Sequence, residues 1–378
     1  MCDVPALRFP EFTEEWQYAK FKDVVTLQRG SSPRPIINYL TTSDDGVNWV
    51  KIGDMPTSGR IVTSTEEKIT KEGAKKSRHV SAGDLILSNS MSYGLPYIMG
   101  IDGYIHDGWF VLKNYEQTFD RDYLCNLLIS DAIQKQYKKL AAGGVVQNIS
   151  SDLVNSVNVF IPCLDEQKKI AKLLNLIDDR ISTQNKIIEK YESLIKGIRH
   201  NIFKQLRKNV GFNATIGNIL SFEQPQRYIV SSAEYSNDCT FTPVLTANKA
   251  FILGYTTETD GIYSKGDCII IDDFTLDCKY VSFPFKVKSS AIKILTAKNK
   301  FILRYTYEYL KSLELSTEEH KRHYIAEVQP HSCVLPDENT LKTIALVFEN
   351  LACKLANEQS LVLIFNKQKQ YLLSKMFI

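Results

Sequence analysis

Two stretches of the chain place apolar residues at alternating steps of four and three. The first runs Ile170, Leu174, Ile177, Ile181, Gln184, Ile188, Tyr191, Ile195, Ile198 and Ile202. The second runs Ile344, Phe348, Leu351, Leu355, Glu358, Val362, Phe365, Lys369, Leu372 and Met376. Each is a heptad seam, the pattern of a helix that buries one narrow stripe against another helix. The seams share one polar slot, at Gln184 and Glu358, while the break at Lys369 has no counterpart. Each predicts a helix of roughly 34–38 residues, on the order of 50–60 Å long. Two ordinary core helices would carry such seams too. Globular helices are usually far shorter, which favours an exposed helical hairpin.

The seams are part of a longer repeat. Pro162–Phe203 aligns without a gap with Pro336–Phe377, at a separation of 174 residues. Identities are few: Pro162 with Pro336, Lys168 with Lys342, Ile170 with Ile344, Ala171 with Ala345 and Phe203 with Phe377. The repeated apolar spacing points to a protein built as two similar halves.

Before each long helix the pattern is mixed. An apolar, proline-broken arm opens the chain, with Pro5, Leu7, Phe9, Pro10, Phe12 and Trp16, and is expected to be packed. Short apolar runs at Val24–Leu27, Trp49–Ile52 and Leu85–Leu87 predict strands, separated by Gly- and Pro-containing turns. Tyr123–Leu140 carries one apolar stripe and predicts a helix. The stretch from Val210 to Leu335 reads likewise, with strands at Phe251–Leu253, Cys268–Ile271 and Ile292–Leu295 and a helix over Phe301–Leu315. Gly83-Asp84-Leu85-Ile86-Leu87 corresponds to Gly266-Asp267-Cys268-Ile269-Ile270. The fold class is α+β, with two similar globular α+β domains separated by two long antiparallel helices in a pseudo-two-fold arrangement. The segments are 1–160, 161–207, 208–335 and 336–378.

Composition narrows the function classes. With 378 residues and 44% hydrophobic content the chain is long enough for two cored domains. No apolar run approaches a membrane span, and the start lacks a basic-then-apolar signal pattern, so a soluble cytoplasmic protein is expected. The 8 cysteines are scattered without a Cys-x-x-Cys pair, as in free thiols of a reducing compartment. A net charge of +3 permits nucleic-acid binding without arguing for it. Phosphate-loop, dinucleotide-binding and nucleophile-elbow motifs are missing, as is the Asn/Asp-Pro-Pro-aromatic tetrapeptide of adenine amino-methyltransferases. His320 and His323 stand three apart, but nothing convincingly completes a metal site with them. Asp272-Asp273 reads as a surface turn.

Several loops carry groups suited to reading DNA. Gln28, Arg29, Ser31, Ser32 and Arg34 share one turn, and Arg and Gln match the major-groove edges of guanine and adenine. Lys75, Lys76 and Arg78 form a basic run suited to phosphates. Asn89 and Tyr93 flank a polar loop after a strand. Gly143 and Gly144 permit close backbone approach beside the amides of Gln147 and Asn148. In the second half the candidates are Gln224, Gln226, Arg227, Thr275, Lys279, His320, Lys321 and Arg322, with Lys286 and Lys288 nearby. Taken singly, each loop is more often a solvated surface.

The chain resembles the specificity subunit of type I restriction–modification systems over essentially its whole length. Ile161-Pro162-Cys163-Leu164-Asp165-Glu166-Gln167-Lys168-Lys169-Ile170 resembles the family's Pro-Leu-x-Glu-Gln-x-x-Ile start of its central conserved helix. The opening Pro5–Phe12 with Trp16, together with Trp49–Asp54 and Gly83–Ile86, resembles the family's opening and its target-recognition domains. The resemblance implies a chain without catalysis of its own. Two target-recognition domains would each read one half of a split, asymmetric double-stranded DNA site. The long helices would act as a ruler between them. Modification (methyltransferase) subunits, two of them, would dock on the helices, with Asp165, Glu166 and Gln167 as partner contacts. Restriction subunits would add translocation and cleavage. S-adenosylmethionine, ATP and Mg would belong to those partners and no cofactor to this chain. The second repeat begins Pro336-Asp337-Glu338-Asn339-Thr340-Leu341, so the contacts of Asp165–Gln167 do not carry over to it. Two rivals stand beside this reading. One is a non-catalytic coiled-coil adaptor with two protein-binding heads; the other is a hydrolase or nuclease whose site lacks a familiar motif.

Overall fold

The computed structural model describes residues 4–56, 59–89, 94–141, 149–247, 250–315, 317 and 321–378. They form two compact units: Met1–Lys186 with Ser360–Ile378, and Ile187–Gln359. The long helices are Leu164–Asn209, of 46 residues, and Glu338–Lys375, of 38 residues. The units are drawn differently from the four sequence segments, because each long helix contributes one end to each unit. The first helix is also longer than its seam alone predicts.

In the first unit a five-stranded sheet has the order 26–29, 109–113, 85–88, 96–99 and 61–62. Side chains alternate across a strand. Leu85, Leu87, Phe110 and Leu112 therefore face a core shared with Tyr123, Leu124 and Leu127 of the helix Arg121–Ile129. Ile86, Trp109 and Val111 face the other way, onto Val50, Val80 and Ile105 of a second five-stranded sheet. Burial on both faces is why Leu85–Leu87 reads as an unbroken apolar run.

The second unit repeats this plan. Its four-stranded sheet runs 221–223, 292–296, 268–272 and 278–281, antiparallel throughout. That is the order and direction of 26–29, 109–113, 85–88 and 96–99 in the first unit. Ile269, Ile271 and Leu295 face one core; Cys268, Ile270, Ile292 and Ile294 face another. Each unit also has one parallel pair in its second sheet, 47–50 with 103–105 and 242–245 with 286–287. Gly83 and Gly266 hold φ of 95° and 96°, the left-handed region that glycine enters at little cost. A short strand pair leads into each long helix: 17–20 with 158–161, and 214–215 with 332–333.

Within each unit the helix ends pack antiparallel. In the first unit Ile170, Leu174 and Ile177 share a core with Leu372, Leu373, Met376 and Phe377. In the second, Phe203 joins Leu341, Ile344 and Phe348. The repeated phenylalanine now has a reason. Phe377, at the end of the second helix, packs 5.4 Å from Tyr123 of the first unit. Phe203 packs 5.4 Å and 5.3 Å from Tyr305 and Tyr309 of the second. All twenty seam positions are buried or half-buried.

Each unit also ties its globular part to the helices through an ion network. Asp178 of the first helix pairs with Lys369 of the second and, at 3.3 Å, with Arg60 of the globular part. This accounts for the unmatched seam break at Lys369. Burial pushes the Lys369 ammonium down, aided by Arg60 and opposed by Asp178. In the second unit Glu308, on the helix Lys300–Ser312, pairs with Arg199 of the first long helix at 2.7 Å and with Arg304 at 2.9 Å.

Some sequence expectations need correction. Tyr123–Leu140 is two helices, Arg121–Ile129 and Asp131–Ala141, broken at Ser130, whose hydroxyl donates to the Leu127 carbonyl at 2.6 Å. The strand expected at Val24–Leu27 is Thr26–Arg29, because Phe21–Val24 makes a helical turn. The strand expected to reach Ile52 ends at Val50, where the Asp54 carboxylate accepts from the Lys51 amide at 2.7 Å and curls the chain. Among the described residues no helix is long and apolar enough to cross a membrane.

Candidate functional site

In the first unit, strands 26–29 and 85–88 end, and the strand 109–113 between them begins antiparallel to both, at the same edge of the sheet. The loops there gather around Asp107, a residue the sequence reading did not single out. Its carboxylate accepts from the Ser32 hydroxyl at 2.6 Å through Oδ1 and from Arg34 Nη2 at 3.0 Å through Oδ2. Its backbone carbonyl accepts from Arg29 Nε at 3.2 Å and Asn89 Nδ2 at 2.9 Å. The Ser32 hydrogen bond holds the Asp107 carboxyl below its usual range, with a smaller contribution from Arg34. The basic run joins the cluster: Ser31 Oγ donates to the Lys76 carbonyl at 3.1 Å and Arg78 Nε to the Arg29 carbonyl at 3.2 Å. Gly30 is required here, since a Cβ would lie 2.0 Å from the His106 carbonyl oxygen.

Arg34 stands at the rim of a cleft of about 1020 Å³ walled by Ile36, Leu40, Trp49, Ile52 and His106. His106 Nδ1 accepts from the Gly108 amide at 2.7 Å, and burial lowers the imidazole's pKa, against the pull of Asp107. Gln28 sits in the strand opposite Val111, and Lys75 is exposed beyond the turn Lys71–Ala74. Tyr93, Gly143, Gly144, Gln147 and Asn148 lie outside the described residues.

The same sheet edge in the second unit gathers a second cluster, around Asp273. Its carboxylate pairs with Lys293 at 3.1 Å, accepts from the Tyr324 amide at 2.9 Å and faces Arg322 at 3.9 Å. Lys293 in turn donates to Gln224 Oε1 at 2.9 Å. Gln224 and Arg322, read separately in the sequence, are thus neighbours of one buried ion pair. Asp272 and Asp273 are more than a surface turn: Asp272 accepts from the amides of Phe274 and Thr275 at 2.9 Å, and Asp273 is 1% exposed. Gln226 and Arg227 are exposed on the turn Pro225–Tyr228. Lys321 faces Glu327 at 3.7 Å, and Lys279 lies on the far-edge strand. Lys286 is no free cation, being 3% exposed and paired with Glu258 at 2.8 Å. His320 lies outside the described residues; His323 is buried and bonded to Glu327 at 2.7 Å. Among the described residues no group of three or more His, Cys, Asp or Glu could hold a metal.

Residues 13–193 match the family model for the type I restriction modification DNA specificity domain. The chain is 44% identical over 141 residues to the type I restriction enzyme EcoR124I/EcoR124II specificity subunit of Escherichia coli, 35% of each chain. It is 27% identical over 215 residues to the MjaVIII specificity subunit of Methanocaldococcus jannaschii, 53% of this chain and 49% of that one. The crystal structure of a type I restriction–modification S subunit from M. genitalium superposes with a TM-score of 0.62 at 15% identity, over 99% of both chains. Residues 13–193 thus carry a type I restriction modification DNA specificity domain. A second solved structure, from work on complex assembly and conformational transition of the type I system, gives a TM-score of 0.53 at 14% identity over 95% of this chain and 96% of that one. These low-identity likenesses concern the fold. The match to the curated family members spans about a third to a half of their length.

The family's helix-start residues have a structural task in this chain. Of Asp165, Glu166 and Gln167, the residues expected to touch a partner, Glu166 and Gln167 are 0% exposed within this chain and Asp165 is exposed. Glu166 accepts both prongs of Arg8, at 2.7 and 2.8 Å, and the Trp16 indole N–H at 3.2 Å. Gln167 accepts from the Asp120 amide at 2.8 Å and donates to the carbonyls of Thr118 and Pro162 at 2.9 Å. Together they clamp the opening arm and the Thr118–Asp120 loop to the first turn of the helix. The second helix needs no such clamp. Asp337 caps it, accepting from the Thr340 amide at 3.0 Å, and Leu341 takes the position of Gln167 in an apolar core. Glu166→Gln keeps one acceptor and loses the charge. It is expected to cost about 1–3 kcal/mol and to speed protease cleavage in the arm, with cleavage elsewhere unchanged.

Proposed function

We propose that this chain is the sequence-reading, non-catalytic subunit of a type I restriction–modification complex. Each unit reads one part of a split, asymmetric duplex DNA site, and the long helices set the spacing between the parts. The observation that carries this reading is the repeated sheet. In both units the same sheet edge bears guanidinium, amide and hydroxyl groups, the donors and acceptors that read base edges and phosphates.

Modification subunits, two of them, dock on the long helices, and restriction subunits join that assembly in the cytoplasm. S-adenosylmethionine, ATP and Mg act on those partners. An apolar groove in the first unit supports docking of the modification subunit. Leu173, Leu176, Ile177, Leu361 and Phe365 line about 710 Å³, and Leu363, Ile364 and Tyr371 stand exposed on the second helix. Large apolar side chains clustered on a surface mark protein contacts.

A gel-shift titration of the full chain with its co-expressed modification subunit tests the reading. The complex is expected to retain duplex DNA, with affinity falling steeply as salt rises because phosphate contacts release counterions. A complex that ignores DNA and instead captures another protein through its globular parts would favour the adaptor reading.

A further inference from the structure

We infer that Asp107 determines specificity in the first unit by holding the Arg34 guanidinium toward a guanine. The inference rests on the DNA-reading function proposed above and adds a residue and a base to it.

Asp107 is fixed from several sides. Its carbonyl takes hydrogen bonds from Arg29 and Asn89, and the Ser32 hydroxyl both donates to Oδ1 and accepts from the Asp107 amide at 3.4 Å. Oδ2 is left for Arg34. The arginine side chain is 79% exposed, and among the described residues Asp107 is its only hydrogen-bond or ion-pair partner. A long side chain so exposed would otherwise sample many rotamers, and ordering it on binding would weaken its contact. One Nη2–H bond to a fixed carboxylate restricts that search and leaves the remaining donors of the guanidinium for a base edge. Arginine donating to O6 and N7 is the commonest way to select guanine.

The pair is not there for stability. Asp107 is itself 41% exposed, and ion pairs this open contribute little to folding. Removing the carboxylate also leaves the two hydrogen bonds on its backbone carbonyl in place. Arg29 differs from Arg34 in this respect: its Nε is bound to that carbonyl and its own carbonyl holds Arg78, so it is built into the loop. Charge and geometry therefore single out Arg34 as the aimed residue and Asp107 as its positioning residue.

The test is selection from a random duplex library by the full chain with its modification subunit. Wild type, R34A, D107A, D107N and the R34A/D107A double variant are compared position by position. R34A is expected to lose enrichment of guanine about tenfold or more at one base pair. D107A is expected to lose the same guanine, and the double variant no more than R34A alone. D107N, which keeps an acceptor for Ser32 but not the charge, is expected to lose that guanine partially. The salt slope of binding stays unchanged in all. A D107A matrix identical to wild type, or altered at a different base pair from R34A, overturns the inference. So does an R34A variant that weakens every sequence equally with a shallower salt slope, the mark of a phosphate contact. A wild-type complex that enriches no sequence contradicts DNA reading itself, and the inference falls with it.

Discussion

Glu308→Ala is expected to destabilise the second unit by about 3–5 kcal/mol. Glu308 is 1% exposed and accepts from Arg199 Nε and Nη2 at 2.9 and 2.7 Å, while its other oxygen pairs with Arg304 at 2.9 Å. The two arginine side chains are only 16% and 11% exposed. Alanine would leave two guanidinium charges in a low-dielectric setting with no anion, which costs more than the pair's net contribution when intact. Arg199 comes from the first long helix and Glu308 from the helix Lys300–Ser312, so the loss should loosen that helix from its support. Hydrogen exchange resolves this better than a global melt, because two units need not unfold together. Amides of 300–312 should lose protection while those of 121–129 keep theirs. A uniform change, or a loss below about 1 kcal/mol, would mean that the network is solvated.

The second large effect concerns the DNA site. The first long helix passes from one unit to the other between Lys186 and Ile187, the second between Gln359 and Ser360. Inserting four alanine-rich residues at both points adds about 6 Å of helix. Against a base-pair rise of about 3.4 Å, the gap between the two half-sites should lengthen by roughly one or two base pairs. The half-site sequences should stay as they were, since no loop of either sheet edge is touched. Methylation by the co-expressed modification subunit on a plasmid set with graded gaps reads this out. Altered half-site sequences at an unchanged gap would contradict the spacing role of the helices.

Much of the fold was legible because helix seams and apolar strand runs are local signals. Ile170 to Ile202 and Ile344 to Met376 announce their buried stripe through spacing alone. The Leu85–Leu87 and Cys268–Ile271 runs announce strands buried on both faces. Whatever depended on distant partners stayed hidden. Lys369 looked like a flaw in the seam because its partner Asp178 lies 191 residues earlier. Glu166 and Gln167 stood out as a motif, but spacing does not reveal which way a side chain faces, and Arg8 is 158 residues from Glu166. The candidate reading loops were found through residue type. Their organiser, Asp107, sits in a plain His-Asp-Gly turn, 75 residues from Ser32 and 73 from Arg34, with no local signal. Asp273 reads as part of a surface turn because nothing nearby in sequence announces Lys293.

In the function proposed, two similar units read two separated parts of one DNA site. Base-resolution mapping of methylation in cells expressing this chain with its modification subunit tests it most directly. One asymmetric motif is expected, made of two short defined parts divided by a gap of fixed length and arbitrary sequence. A single continuous motif, or methylation without sequence preference, would contradict it.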